Sequence, residues 1–477
     1  MQKIKGISCD SRKIKDGYVF VAIQGINDDG NNYIEEAIKN GAALVISDRH
    51  LKIDNKKNVP ILIVDDARRY LAKLSADFYD NPSNKLKIIG VTGTNGKTTT
   101  SNLIYKLLNF KSKKSGIIGT VDVDLGEKMK KGKLTTPAPE ELQKYFHEMN
   151  KNNLQYCSME VSSHGIKFKR IEGTKFSLKI ATNISFDHLD LHKNEKNYIQ
   201  VKKSFLSEES NIPVLINKEN KTLYSLNKIA KNQINYSINK NTVVKAEDIK
   251  YMNKKTSFEY SLKKTISGPE NKIHAVNFNI TTHLVGRHNI YNSLAAITTA
   301  LYYGLTPNTI KEFFKNYKGL WRRLEIVYNK DFTIIDDCAH NPGSYKAVFS
   351  TIKNMKYKNL YIINAIRGNR GIEINRENAN AIATELKNIK NAHLIITECK
   401  DTAKKDDIVK TDEKNIFLNT LDKYNQQYFY YEKVIEAIVH TLEKVEKDDN
   451  ILLLGAHAMD NAAKLTLNHL KENKLYI

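Results

Sequence analysis

The 477-residue chain, 41% hydrophobic and 27% charged, is too long for one ordinary core, and about three domains of a soluble globular protein are expected. It shows no apolar run near the roughly 18 residues of a membrane span and no secretory signal in its opening MQKIKGISCDSRKIKDG, while four scattered cysteines argue against a disulfide framework or a zinc site. The formal net charge of +22 comes from lysines spread along the whole chain, which suits attraction of an anionic small substrate better than a nucleic-acid stripe.

A cytoplasmic monomer is therefore expected, with no membrane and no nucleic acid as partner. Apolar β-like runs alternate with helical patterns from end to end, which is the α/β signature. Residues 1–84 carry the short strands GYVFVAIQG, AALVISD and VPILIVDD and end at DNPSNKLK, an Asn-Pro turn suited to a linker. Residues 85–320 open on IIGVTGTNGKTTT, a strand breaking into a glycine- and threonine-rich loop. TSFEYSLKK and HAVNFNITTHLVG in the same block alternate partly with a two-residue period, predicting strands added to a main sheet, and NIYNSLAAITTALYYGL reads as a helix. Residues 321–477 resume strand–helix alternation through FTIIDDCAHNP, NLYIINAIRGN, AHLIITE and NILLLGAH.

The loop asks for a phosphate. KLKIIGV predicts a buried strand and TTTSNLIYKLLNF a helix with Leu103, Ile104, Leu107 and Leu108 on one face. Between them, backbone N–H groups of Gly93–Gly96 and the helix N-terminus can cradle phosphate oxygens, Lys97 can reach the terminal phosphates, and the Thr98 hydroxyl can ligate Mg²⁺. The G-x-x-x-x-G-K-[ST] pattern is off by one place, because Val91 stands at its first glycine and Gly90 lies one residue earlier. Two further strand ends contribute chemistry. LQYCSMEVSSHG places Glu160 at the end of a strand, where a carboxylate can serve a metal. KIATNISFDHLDLH then delivers Asn183, Asp187, His188, Asp190 and His192 beyond a third strand, the region where parallel sheets bind ligands.

The order of these motifs resembles the Mur ligase family, and within it the members that add the third residue of the peptidoglycan stem peptide. The matching pieces are GISCDSRKIKDGYVFVAIQG, GVTGTNGKTTT, LTTPAPEEL, MEVSSHGI, TNISFDHLDLH, YIQVKKSFL, GRHNIYNSLAA, RRLE and DDCAHNPGS. The resemblance implies three domains: a UDP-sugar-binding one over 1–84, a central P-loop ATPase sheet over 85–320 and a Rossmann-like, amino-acid-binding one over 321–477. It implies that ATP phosphorylates a carboxylate of UDP-N-acetylmuramoyl-L-alanyl-D-glutamate and that a free amino acid attacks the acyl phosphate. ATP and Mg²⁺ are the implied cofactors.

By the same resemblance, Gly93, Thr94, Asn95, Gly96, Lys97, Thr98 and Thr99 cradle the nucleotide, Asn289 and Asn292 lie in the adenine-side helix motif, and Arg323 and Asp337 contact ATP. Thr98, Glu160, His188 and Lys202 fall on metal positions, Lys202 being the lysine that the family carbamylates, with Lys203 as the alternative register. Lys97, Lys202 and His188 are the implied catalytic residues. Ser11 and Arg12 match the uridine motif, and Thr135, Thr136, Ser162 and Arg170 match positions that hold the muramoyl dipeptide. Arg370 and Arg376, with Lys400 and Asp401, are candidates for the incoming amino acid.

Several positions depart from the family pattern. Phe168 stands where Gln is common, Cys338 replaces Tyr, and Asn369 replaces Asp. The diaminopimelate-recognising DNPR is absent, with CKDTAKKDD in its place, and GKGHE has become GAHAMD. Lysine, diaminopimelate or a similar amine thus all fit the expectation. The alternative is a diverged ligase of the cyanophycin or folylpolyglutamate kind. A nucleotide-binding scaffold is opposed by Lys97, Thr98, Glu160, His188 and Lys202 occurring together. A nucleic-acid ATPase is opposed by the lack of a basic stripe or stacking platform.

Overall fold

Three sheets follow one another along the chain in the computed structural model, which describes all residues except 1–3, 26–27, 51–53, 56, 186–191, 193, 210, 227–228, 253 and 473–477. The first is a four-stranded parallel sheet in the order Gly6–Ser8, Tyr18–Val21, Ala42–Ser47, Ile61–Ile63. Its inward residues, among them Phe20, Val45 and Val19, Val21, Ile46, feed separate apolar clusters on its two faces.

The second sheet has eleven strands. Its parallel centre runs Val244–Met252, Gln233–Ser237, Val214–Asn217, Leu178–Ala181, Lys87–Thr92, Tyr156–Glu160, Ser115–Ile118. Lys255–Leu262 and Val276–Thr282 extend one edge antiparallel, as their two-residue alternation predicts, and Asp122–Asp124 and Lys130–Lys131 extend the other. Central strands such as Tyr156–Glu160 and Leu178–Ala181 are buried throughout, as strands covered on both faces must be. The helix Lys97–Phe110 buries Leu103, Ile104, Leu107 and Leu108 and packs against the helix Arg287–Tyr302.

The third sheet has six strands in the order Glu325–Asn329, Thr333–Asp337, Asn450–Leu454, Leu360–Ala365, Ala392–Thr397, Phe429–Tyr431, parallel except for the first pair. Apolar clusters cover both faces, giving the doubly wound layering of a Rossmann-like unit.

The Asn-Pro turn is more than a linker. Asn81 takes a left-handed conformation at φ 46°, and Pro82 and Ser83 are buried. Asn150 donates to the Pro82 carbonyl at 2.9 Å, and the Ser83 hydroxyl accepts from the Lys175 N–H at 3.1 Å. The turn therefore seats the first sheet's last helix, Ala67–Phe78, on the eleven-stranded unit. In sequence, a polar Asn-Pro stretch looks the same whether its polar atoms meet water or protein.

Candidate active site at the ends of three neighbouring strands

Three adjacent parallel strands, Leu178–Ala181, Lys87–Thr92 and Tyr156–Glu160, end side by side, and their carboxyl ends hold the predicted chemistry. The loop after Thr92 turns on two glycines with positive φ, Gly93 at 151° and Gly96 at 85°. A side chain at Gly93 would put its Cβ 1.8 Å from the Thr182 hydroxyl, so only glycine fits there.

Residues 182–185 hold the loop from behind. Thr94 donates its N–H to the Asn183 carbonyl at 2.8 Å, and Asn95 donates its N–H to Asn183 Oδ1 at 2.9 Å. The Asn95 carbonyl accepts from Thr182 Oγ1 at 2.6 Å and from Asn183 Nδ2 at 2.8 Å. Asn183 thus acts through the loop backbone. Asp187, His188 and Asp190 lie outside the described residues, while His192 is buried nearby, with its ring 5.1 Å from that of Tyr198.

Gly96 has no side chain with which to cap the helix Lys97–Phe110, so the helix begins at the loop with its positive dipole end uncapped by a side chain, the arrangement that favours an anion. Lys97 Nζ donates to the carbonyls of Gly93 and Thr94, both at 2.9 Å, and so lies over the loop. Thr99 is buried in the helix. Lys202 is 1% exposed and Lys203 is exposed, which separates the two registers. Lys202 Nζ donates to the Gly93 carbonyl at 3.0 Å and stands 4.9 Å from the centre of the Tyr198 ring.

Asn289 and Asn292 are buried under the loop. Asn292 Oδ1 accepts from Thr100 Oγ1 at 3.2 Å and would lie 2.6 Å from a Cβ on Gly96. Asn292 Nδ2 donates to Asn289 Oδ1 at 3.1 Å, and Asn289 Nδ2 donates to the Val285 carbonyl at 2.8 Å. The pair braces the phosphate loop from the neighbouring helix.

Glu160 is 1% exposed. Its carboxylate accepts from Thr98 Oγ1 at 2.9 Å and from the Thr120 N–H at 2.7 Å. A hydroxyl and a carboxylate oxygen suit a hard cation such as Mg²⁺, which keeps most of its shell as water and phosphate oxygens. Among the described residues, no three His, Cys, Asp or Glu side chains come together as a metal cluster.

From Glu160 a polar track leads away from the loop. Thr120 and Thr135 hydroxyls lie 3.0 Å apart. Thr136 donates its hydroxyl to the Glu160 carbonyl at 2.9 Å and stands 3.1 Å from Ser162 Oγ, and Arg170 Nη1 donates to the Thr136 carbonyl at 2.9 Å. Arg170 also faces Phe168, whose ring is met from the other side of the seam by Arg68 on the four-stranded unit. Beyond the seam on that unit, Ser11 is buried with its hydroxyl on Glu36 at 2.7 Å, and Arg12 is exposed against Asp10 at 2.8 Å.

The six-stranded unit meets the loop directly. Asn95 and Asn341 exchange side-chain amide hydrogen bonds, each 3.2 Å. Asn341 also caps the helix Pro342–Ile352, which fixes its orientation. Lys131 of the central sheet reaches Asp460 at 3.5 Å.

Of the two arginines of RRLE, Arg322 is the buried one, 1% exposed. It pairs with Asp336 at 3.1 Å and Asp460 at 2.7 Å and donates to the carbonyls of Gly455 and Ala456. Arg323, the predicted nucleotide contact, lies beside Asp337 and donates to the Arg322 carbonyl. Burial raises the Asp337 carboxyl to about 6 against the pull of Arg323. Asp460 is opposite: burial favours its neutral form, yet hydrogen bonds from His457 and Arg322 take it down to about 2. Sequence reading passed over Arg322, although the RR doublet beside a lone Trp was the available signal.

In the third unit, Arg370 is exposed and Arg376 is paired with Glu373 on one helix face. Two of the amino-acid candidates are engaged elsewhere. The Asp401 carboxylate accepts the Val434 and Ile435 N–H groups at 2.9 and 3.1 Å, so it caps a helix, and Lys400 pairs with Glu432 at 2.7 Å. Both are charged loop residues, and the sequence does not show that a helix start lies within reach of one of them.

Comparison with known proteins accounts for this layout. Residues 3–79 match the model of the Mur ligase family catalytic domain, 91–300 the Mur ligase middle domain and 322–457 the Mur ligase glutamate ligase domain. A protein of Oceanobacillus iheyensis named UDP-N-acetylmuramoyl-L-alanyl-D-glutamate–2,6-diaminopimelate ligase is 32% identical over 468 residues, 95% of this chain and 89% of that protein. The chain belongs to the Mur ligase family. A relative of the same name from Aquifex aeolicus is 35% identical over 379 residues, covering 78% of this chain and 74% of its own.

Solved Mur ligases have the same three-domain α/β fold. A structure of a UDP-N-acetylmuramoyl-L-alanyl-D-glutamate–2,6-diaminopimelate ligase superposes with a TM-score of 0.68 at 21% identity, covering 99% of this chain and 96% of the other. The MurF ligase of Thermotoga maritima in complex with ADP also gives 0.68, at 16% identity over 98% and 99% of the two chains.

Proposed function

We propose that this Mur ligase is an ATP-dependent, ADP-forming amide ligase that joins an amino acid to UDP-N-acetylmuramoyl-L-alanyl-D-glutamate in peptidoglycan synthesis. The observation that carries the reading is the unbroken polar track from the phosphate loop through Thr98, Glu160, Thr136 and Ser162 to Arg170 at the seam with the four-stranded unit. A long anionic acid anchored on residues 1–84 would reach the terminal phosphate along that track. The relatives' names supply the acid, and the loop supplies its activation. Residues 1–84, 85–320 and 321–477 are the units we assign to the UDP-sugar, ATP and the amino acid.

A carboxylate is a poor electrophile, and phosphorylation gives its oxygen a good leaving group. Bringing two anions together requires fixed positive charge between them. Lys97, the loop N–H groups and the helix N-terminus are arranged to supply it at the terminal phosphate. Mg²⁺ bound here would add Lewis-acid stabilisation of the transferring phosphoryl group. Thr98 and Glu160 are its assigned protein ligands, with His188 a further candidate. Lys202, buried beside Gly93, is the lysine we assign to carbamylation, which would turn a cation at the base of the loop into an anion.

Arg323 and Asp337 are assigned to the nucleotide, and the Asn95–Asn341 contact is where the third unit closes on the loop. Closure keeps water from the acyl phosphate until the amine attacks, the amine's proton leaving as the tetrahedral intermediate expels phosphate. The incoming amine is diaminopimelate by the names of the relatives, while the loss of DNPR leaves lysine as the competing choice. The test is phosphate release from ATP. Release that requires both the UDP-dipeptide and one amine supports the reading, and release with neither or with another acid would overturn it.

A further inference from the structure

Arg68 starts the second position of the helix Ala67–Phe78 on the four-stranded unit, and its guanidinium carbon lies 4.6 Å from the centre of the Phe168 ring. Arg170 meets the same ring at 5.8 Å. Two like charges thus share one aromatic ring across the seam between units. The seam has its own ion pairs without them: Asp66 with Lys169, and Arg69 with Glu172 at 3.3 Å. Arg68 and Arg170 instead donate to backbone carbonyls, of Gln24 and Thr136 respectively. Among the described residues neither meets a carboxylate at ion-pair distance. Burial weakens the hold of both on their protons, and Arg68 weakens that of Arg170 further.

Asp66 and Asp48 act on Arg68, and Glu140 on Arg170, only from beyond ion-pair distance. A half-buried pair of cations therefore lacks a contacting carboxylate, and an anion bound beside them would recover stability. The position says which ligand that anion belongs to, because Arg170 touches Thr136, one step from Ser162 and Glu160 on the track. We propose that Arg68 is a substrate-binding residue that, with Arg170 across Phe168, clamps an anionic group of the UDP-sugar dipeptide, either a phosphate or a carboxylate. Phe168 is the platform. Its face attracts both guanidiniums, and the aromatic ring at this position brings in an arginine from the neighbouring unit. The proposal rests on the function argued above.

The test is calorimetric titration of the full chain, as wild type, Arg68→Met and Arg68→Lys, with three ligands: UDP-N-acetylmuramoyl-L-alanyl-D-glutamate, UDP-N-acetylglucosamine and Mg-ADP. Met keeps an apolar stem on Phe168 and removes the charge. Arg68→Met should weaken the dipeptide substrate about 10- to 100-fold, the scale of a lost charge-assisted contact, and leave Mg-ADP affinity unchanged. An equal loss for UDP-N-acetylglucosamine assigns the clamp to phosphate, and a loss confined to the dipeptide substrate assigns it to carboxylate. Unchanged substrate affinity, or a parallel loss of Mg-ADP affinity, would overturn the proposal as a purely structural contact. If Arg68→Met does not fold, Arg68→Lys decides by the same comparison, because it keeps the charge and loses the fork. A wild-type chain that binds Mg-ADP but neither UDP-sugar would sink the functional reading itself, and the clamp with it.

Discussion

Lys97 and Lys202 both donate to the Gly93 carbonyl, one from above the loop and one from its base. Their roles should separate on substitution. Lys97→Ala removes the cation at the terminal phosphate and should lower turnover by at least about 10³-fold, the scale of removing a preorganised charge from a transition state. Circular dichroism should show the fold retained, and full activity would remove the phosphate loop from the mechanism. Lys202→Ala should cut activity, with partial rescue by a small carboxylate, whereas Lys203→Ala should be silent because that side chain is exposed. The reverse pattern would move the assignment by one residue. Lys97 and Thr98 were legible in the sequence because the motif ties chemistry to spacing. Arg322 was not, since its partner Asp460 lies 138 residues further along the chain and meets it only once the unit has folded.

The strand–loop–helix element is the part of the fold the sequence states most fully. Its apolar strand, its two glycines and its one-sided Leu/Ile helix face all appear in the structure as read. The bracing around it does not appear in any local pattern. Thr182, Asn183 and Asn292 contact the loop from other strands and helices, and polar residues of these kinds read equally well as surface. Gly93→Ala should therefore destabilise the chain by about 2 kcal/mol or more, through steric overlap with Thr182 and loss of the positive φ. Asn292→Ala should cost about 1–3 kcal/mol, because it strips partners from buried Thr100 and Asn289. Chemical denaturation measures both, and a neutral Asn292→Ala would show the brace to be dispensable.

Across the whole molecule, charge at the junction with the six-stranded unit couples stability to pH. Burial holds the Asp337 carboxyl at about 6, above its ordinary range. A raised acid favours the folded state while protonated, so its contribution is present at low pH and is lost as pH rises through about 6. Asp337→Asn removes that titration. The variant's melting temperature relative to wild type should accordingly be higher at about pH 8 than at about pH 4, and a difference independent of pH would contradict the assignment. The α/β class followed from strand–helix alternation, but the way the sheets meet did not. Asn95 with Asn341, Lys131 with Asp460 and Arg68 on Phe168 pair residues from separate motifs, and their geometry exists only once the units pack.

The central claim is that one acid and one amine are joined at the expense of ATP, and phosphate release by the full chain tests it most directly. The assay contains ATP, Mg²⁺, UDP-N-acetylmuramoyl-L-alanyl-D-glutamate and, in separate reactions, meso-diaminopimelate, lysine, ornithine or a neutral amino acid. The account predicts release only when the UDP-dipeptide and a single preferred amine are both present, with ADP formed in equal amount. Release that ignores the UDP-dipeptide, or none with any amine while ATP still binds, would contradict it.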